Sequence, residues 1–144
     1  NMHPSNDREK FMFQGTTDGS NFNVAMTTTW FQAYHNEAGS DQSFSYIAGE
    51  DQANGTSFQS LSEDTGADND QCFSGELIIF SPSSTTFTKH FMTVSNETYF
   101  SDFSNNHYVA GYFNTTSAIT GLRFKFDTNN IDSGTVKLYG IKDS

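Results

Sequence analysis

From Leu122 onward, in the run Gly-Leu-Arg-Phe-Lys-Phe of residues 121–126, every second residue is large and apolar. Leu122, Phe124 and Phe126 take one side, and Gly121, Arg123 and Lys125 the other. An extended chain points successive side chains to opposite faces, so this pattern reads as a strand half-buried against a core. The same period recurs upstream. Phe22, Val24, Met26, Thr28, Trp30 and Tyr34 fall on even positions. That segment is long for one strand, which predicts a bulge or bend around residues 27–29. Phe44 and Tyr46 alternate in a shorter strand. Leu77-Ile-Ile-Phe80 is continuously apolar, the pattern of a strand covered on both faces. Residues 87–94 and 107–114 add two more. Residues 135–141, with Val136 and Leu138 facing one way, read as a closing strand. A turn-rich loop at 127–134 would set it antiparallel to 119–126.

Composition gives helices no opening. The apolar stock is 15 Phe, 6 Tyr and one Trp rather than many Leu, and Ala, Leu, Glu, Lys and Arg are scarce. Seven or eight short strands separated by turns predict an all-β fold, an antiparallel β-sandwich of jelly-roll-like type. A length of 144 residues fits one domain, taken as residues 11–144 behind an N-terminal arm of residues 1–10. Residues 48–75 read as a long acidic loop. No apolar run is long enough for a membrane-spanning helix.

The net charge of −10 is confined. Residues 11–88 hold ten acids and no Lys or Arg, while the rest carries seven of each sign. Binding to phosphate-rich partners needs clustered cations, so nucleic acid and anionic membrane surfaces are poor partners. The split predicts an acidic stretch turned to solvent and a nearly neutral C-terminal part as the docking side.

Few residues suggest chemistry. Cys72 stands alone, which excludes an internal disulfide and a cysteine metal cluster, and it reads as a small buried hydrophobe. His3, His35, His90 and His107 are far apart with no zinc spacing, and His90 is expected to face solvent or a neighbouring subunit. Glu63, Asp64, Asp68 and Asp70 crowd one loop and could supply hard oxygens. Asp64, Asp68 and Asp70 are the calcium candidates, although their spacing does not follow the EF-hand series. No serine elbow or activated thiol is present, so no catalytic residue, cofactor or enzymatic activity is expected. Trp30, Tyr34, Tyr99, Tyr108 and Tyr112 could stack on sugars, but a Leu-poor core needs most of its rings for packing. One or two of these five are expected at the surface.

Two stretches carry a resemblance. Residues 75–91, GELIIFSPSSTTFTKHF, resemble a strand, NPSSTT turn and strand signature of tailed-phage structural proteins. Residues 119–142, ITGLRFKFDTNNIDSGTVKLYGIK, are similar to the closing motif of the same proteins, which include tail-fibre and other minor virion proteins. The likeness spans about residues 11–142. It implies a non-enzymatic β-sandwich on the surface of a virion, as a tail fibre, head decoration or vertex knob. Partners would be other virion proteins and further copies of itself, a trimer among them, with host attachment through a surface glycan as an added role. Asn129 and Asp132 stand where that motif usually has Gly and a small residue, so the turn there is expected to differ slightly. A carbohydrate-binding module of similar fold is the alternative from another class, and a glycan-cleaving enzyme the third.

Overall fold

The computed structural model describes residues 1–141; residues 142–144, including Lys142 at the end of the resemblance, lie outside the described residues. Ten strands form: β1 (Met2–Pro4), β2 (Phe11–Thr16), β3 (Met26–Asn36), β4 (Gln42–Tyr46), β5 (Gln59–Ser60), β6 (Phe73–Ile79), β7 (Lys89–Tyr99), β8 (Phe103–Phe113), β9 (Gly121–Phe126) and β10 (Ile131–Gly134). They make a seven-stranded sheet in the order β10-β1-β6-β7-β8-β3-β4 and a three-stranded sheet β5-β2-β9. The ends of the chain nest, β1 pairing with β10, β2 with β9 and β3 with β8, all antiparallel. The all-β sandwich is therefore present, with nested pairing of the jelly-roll kind but strands divided seven and three.

The core lies between the sheets and is aromatic. Phe13 of β2 meets Phe91 of β7 edge-on at 5.1 Å and Phe113 of β8 at 6.1 Å. Phe11 packs on Phe73 at 5.0 Å and on Phe126 at 5.2 Å. Rings in tilted and edge-to-face contact bury much area in few residues, which suits a chain short of Leu. Gly15 allows the close approach, since a Cβ there would lie 2.8 Å from the Phe113 ring.

Several expectations are corrected. β3 keeps one register with β8 over its whole length, without a bulge at residues 27–29. Equally long partners and β-branched Thr27 to Thr29 sustain the straight strand. The register shift lies instead between His3 and Pro4 of β1. The segment read as an arm is partly built into the large sheet, with Met2 opposite Phe73 and buried. The acidic loop of residues 48–75 contains β5 and then a buried crossing. There Leu61 N–H donates to the Phe11 carbonyl at 2.7 Å, and Ser95 Oγ donates to the Leu61 carbonyl at 2.8 Å. Residues 135–141 form no strand; β10 occupies part of the predicted turn and pairs with β1 in the large sheet, while β9 pairs with β2 in the small one.

The turn after β9 is held by a carboxyl pair. Buried Glu9 accepts backbone N–H groups of Thr128 and Asn129 at 3.0 and 3.2 Å, and the Asn129 side-chain amide as well. Asn129 keeps a negative φ here, and its side chain has a role that Gly would lack. Burial, then the hydrogen bond with Glu9, pushes the Asp127 carboxyl above its usual range. Burial opposes ionisation of Glu9 too, but donors from Asp127, Asn129 and Thr128 outweigh it and hold its pKa down. A raised carboxyl contributes stability that is present at acid pH and lost as pH climbs above about 4 through the folded value. Asp127→Asn keeps an acceptor for the Lys10 N–H, now bonded at 2.9 Å, and a donor toward Glu9. It is expected to raise Tm at pH 7 by ~3 °C. A thermal melt with Tm below the parent at pH 7 would contradict this.

Candidate functional site

The inner face of the large sheet changes character along its length. At one end sit Met26, Phe91 and Phe113; at the other sit Gln32, Ser95, Glu97, Asn105 and His107, all buried. Glu97 is the hub. Its Oε1 accepts the backbone N–H groups of Glu63 and Asp64 at 3.1 and 3.4 Å and the Asn105 amide at 3.3 Å, and lies 3.1 Å from His107 Nε2. Its Oε2 accepts the Thr65 hydroxyl at 2.6 Å. Glu63 turns inward and accepts from Gln32 and Asn105 at 3.2 and 3.3 Å. Trp30 meets the His107 ring edge-on at 5.1 Å. A carboxylate, an imidazole and an indole together could suggest acid–base chemistry, but both members of the Glu97–His107 pair are completely buried. The cluster fastens residues 61–65 across the open end of the sandwich. Its chemistry is structural.

The outer face of the same sheet is different. Alternation turns Ile78 outward from β6, Met92 and Val94 from β7, Tyr108 and Ala110 from β8, Phe31 from β3, and Phe44 and Tyr46 from β4. Register lines them up: Glu76, Val94, Tyr108, Phe31 and Tyr46 form one row across five strands. Ile78, Met92, Ala110 and Thr29 form the next. Five strands at the usual spacing make the first row about 19 Å wide. Phe31 stacks on Tyr108 at 5.0 Å with planes 11° apart, and packs on Phe44 at 5.6 Å. Beside the second row an open groove of about 410 Å³ runs between Phe80, Met92 and Tyr112. Met92 is 53% exposed and Phe44 71%. Glu76 is the one carboxylate in these rows, so the face is nearly neutral on a strongly anionic protein.

The sequence candidates scatter. Asp64 accepts the Tyr99 hydroxyl at 3.1 Å; burial, and after it the Asp64 carboxylate, pushes the Tyr99 phenol up to about 12. Asp68 offers its backbone carbonyl to His3 at 3.2 Å, and Asp70 is exposed on the following turn. Among the described residues, no three His, Cys, Asp or Glu side chains converge as a metal site requires. Of the five rings singled out, Trp30 is in the core, Tyr34, Tyr99 and Tyr112 are half-buried and Tyr108 is exposed. Cys72 is half-buried, and His90 faces solvent.

The expected division into acidic and docking halves does not hold in space. Phe31, Phe44, Tyr46 and Ile78 come from the acidic stretch, and Met92, Val94 and Tyr108 from the neutral part, yet all share one face. Leu77-Ile-Ile-Phe80 was expected to be covered on both sides, whereas Ile78 and Phe80 are exposed. Only Leu77 and Ile79 reach the core, because the second sheet covers one side alone. The missed residues had a signal. In β7, Phe91 faces inward and Met92 and Val94 outward, so apolar residues occupy both parities, as in a strand with two covered faces.

Compared with known proteins, the chain matches no family model, no curated protein and no solved structure.

Proposed function

We propose that the protein is a non-enzymatic structural component of a bacteriophage virion, exposed on the particle and acting through protein contacts. The observation that carries the contact reading is the outer face of the large sheet. A contiguous apolar face of several strands is costly to leave in water, and such patches mark interaction sites. The tail-fibre-type resemblance of residues 75–91 and 119–142 supplies the virion setting, with a tail fibre, head decoration or vertex knob as the role.

Met92 is exposed on the outer face opposite Ile78 and Ala110, so Met92→Glu should leave stability within about 0.5 kcal/mol of the parent. A carboxylate buried without a partner in an interface costs several kcal/mol, so the same change should reduce incorporation into particles at least ~10-fold. Quantitative immunoblots of purified particles, beside a denaturation curve, check both halves. Equal incorporation of parent and variant would overturn the assignment of this face.

A carbohydrate-binding module is the second reading, favoured by the exposed Tyr108 ring stacked on Phe31. It requires the isolated monomer to bind glycans, and Tyr108→Ala to abolish that binding. On the primary reading Tyr108→Ala instead weakens assembly.

A further inference from the structure

Residues 135–141 have the sequence of a strand and no strand partner among the described residues. Val136, Leu138 and Gly140 alternate with Lys137, Tyr139 and Ile141. Thr135 N–H donates to the Asn1 carbonyl at 3.3 Å, and beyond it the segment belongs to no strand and is exposed. Leu138 is 92% and Ile141 95% exposed. Four large apolar side chains in seven residues are poor company for water, and their spacing suits a sheet.

The opposite edge of the same sheet is equally unfinished. Among the described residues, β4 pairs only with β3. Ile47 N–H reaches the Trp30 carbonyl and the Asp41 carbonyl receives the Asn36 N–H, so odd-numbered residues of this strand bond toward β3. Alternation then leaves the N–H and C=O groups of Gln42, Phe44 and Tyr46 pointing outward. Exposed edges are usually blunted with Lys, Pro or a bulge. Gln-Ser-Phe-Ser-Tyr has no Lys or Pro, and its register with β3 is unbroken.

We propose that residues 135–141 are a strand donated to a second copy of this chain, where they pair with the free edge of β4. The proposal rests on the assembly reading above and names the partner. Reach excludes the chain's own β4. The two sheet edges are six strand spacings apart, about 29 Å, while seven extended residues span at most about 24 Å. Charge agrees as well. Lys137 is the charged residue of the tail, and β4 is flanked by Glu37, Asp41, Glu50 and Asp51 with no Lys or Arg between residues 11 and 88. Added to β4, the tail would also shield Phe44 and Tyr46. Donor and acceptor are different surfaces, so the contact is head-to-tail and builds a closed ring or an open filament.

The test uses the full chain. Native mass spectrometry and light scattering should show oligomers. Phe44→Pro removes an outward N–H that β3 does not use, and should convert them to folded monomer. Phe44→Lys does the same by charge should the proline variant fail to fold. In a Cys72→Ser background, Leu138→Cys chains mixed with Phe44→Cys chains should give at least ten-fold more disulfide-linked dimer than either alone. A monomeric parent, or oligomers unchanged by both Phe44 variants, overturns the proposal. A monomer with residues 136–141 protected from amide exchange also overturns it, by placing the tail on its own chain. Chains that are absent from particles yet oligomerise through β4 refute the virion reading alone. Chains present in particles without this pairing refute strand donation alone.

Discussion

Replacing Glu97 with alanine is expected to destabilise the protein by about 4 kcal/mol, a large share of the roughly 5–15 kcal/mol that keeps a typical domain folded. The magnitude follows from what stays behind. Two backbone N–H groups, at Glu63 and Asp64, would lose their acceptor in the interior. The Thr65 hydroxyl, the Asn105 amide and His107 would lose theirs too. Each buried group left without a partner costs roughly 1–3 kcal/mol, and partial relaxation of residues 61–65 toward water keeps the sum below the full total. Glu97→Gln retains the shape and one acceptor but aims an amide at Thr65 or His107, and should fall between parent and alanine. Urea denaturation measures both. A loss below 1 kcal/mol for alanine would show that the crossing segment does not depend on this carboxylate.

The second large effect belongs to the apolar end of the core. Phe13 is completely buried and contacts Phe91, Phe113 and Phe124 from the facing sheet and its own. Phe13→Ala removes a ring from the centre of the inter-sheet packing, and the β backbone on both sides cannot close the gap. The expected loss is about 4 kcal/mol. Phe44→Ala should change stability by less than about 0.5 kcal/mol, because Phe44 is exposed at the sheet edge. Equal losses for Phe13 and Phe44 in the same assay would contradict the placement of the core.

How much of this could be read in advance depends on which side chains mark the inner face. β9 was legible because all three of its large apolar residues, Leu122, Phe124 and Phe126, share one parity. β7 misleads, since Lys89, Thr93, Ser95 and Glu97 point inward beside Phe91. They are tolerated there by partners far away in sequence: Lys89 Nζ donates to the Thr115 carbonyl at 3.2 Å, and Glu97 meets residues 63–65. No local pattern can announce such pairs. β1 is three residues long, and its pairing with both β6 and β10 is a property of the assembled sheet.

The outer face was half legible. The run Leu77-Ile-Ile in β6 and the apolar residues of both parities in β7 put large side chains on both faces of the sheet, but the outer one is exposed rather than covered. What such patterns cannot say is whether cover comes from the same chain. Residues 135–141 pose the same question at the sheet edge, where a strand-like sequence finds no strand partner among the described residues. The acidic loop candidates do not converge among the described residues, for a related reason. Glu63 and Asp64 are committed to the sheet by Asn105, Gln32 and Tyr99, while Asp68 and Asp70 belong to a separate turn.

The measurement that bears most directly on the central claim is the amount of this protein in purified phage particles, counted by quantitative mass spectrometry against a major capsid standard. The account predicts a fixed copy number, high if the protein decorates the shell and three or six if it belongs to a tail. Particles that lack the protein, from a lysate in which it is expressed, would contradict the claim.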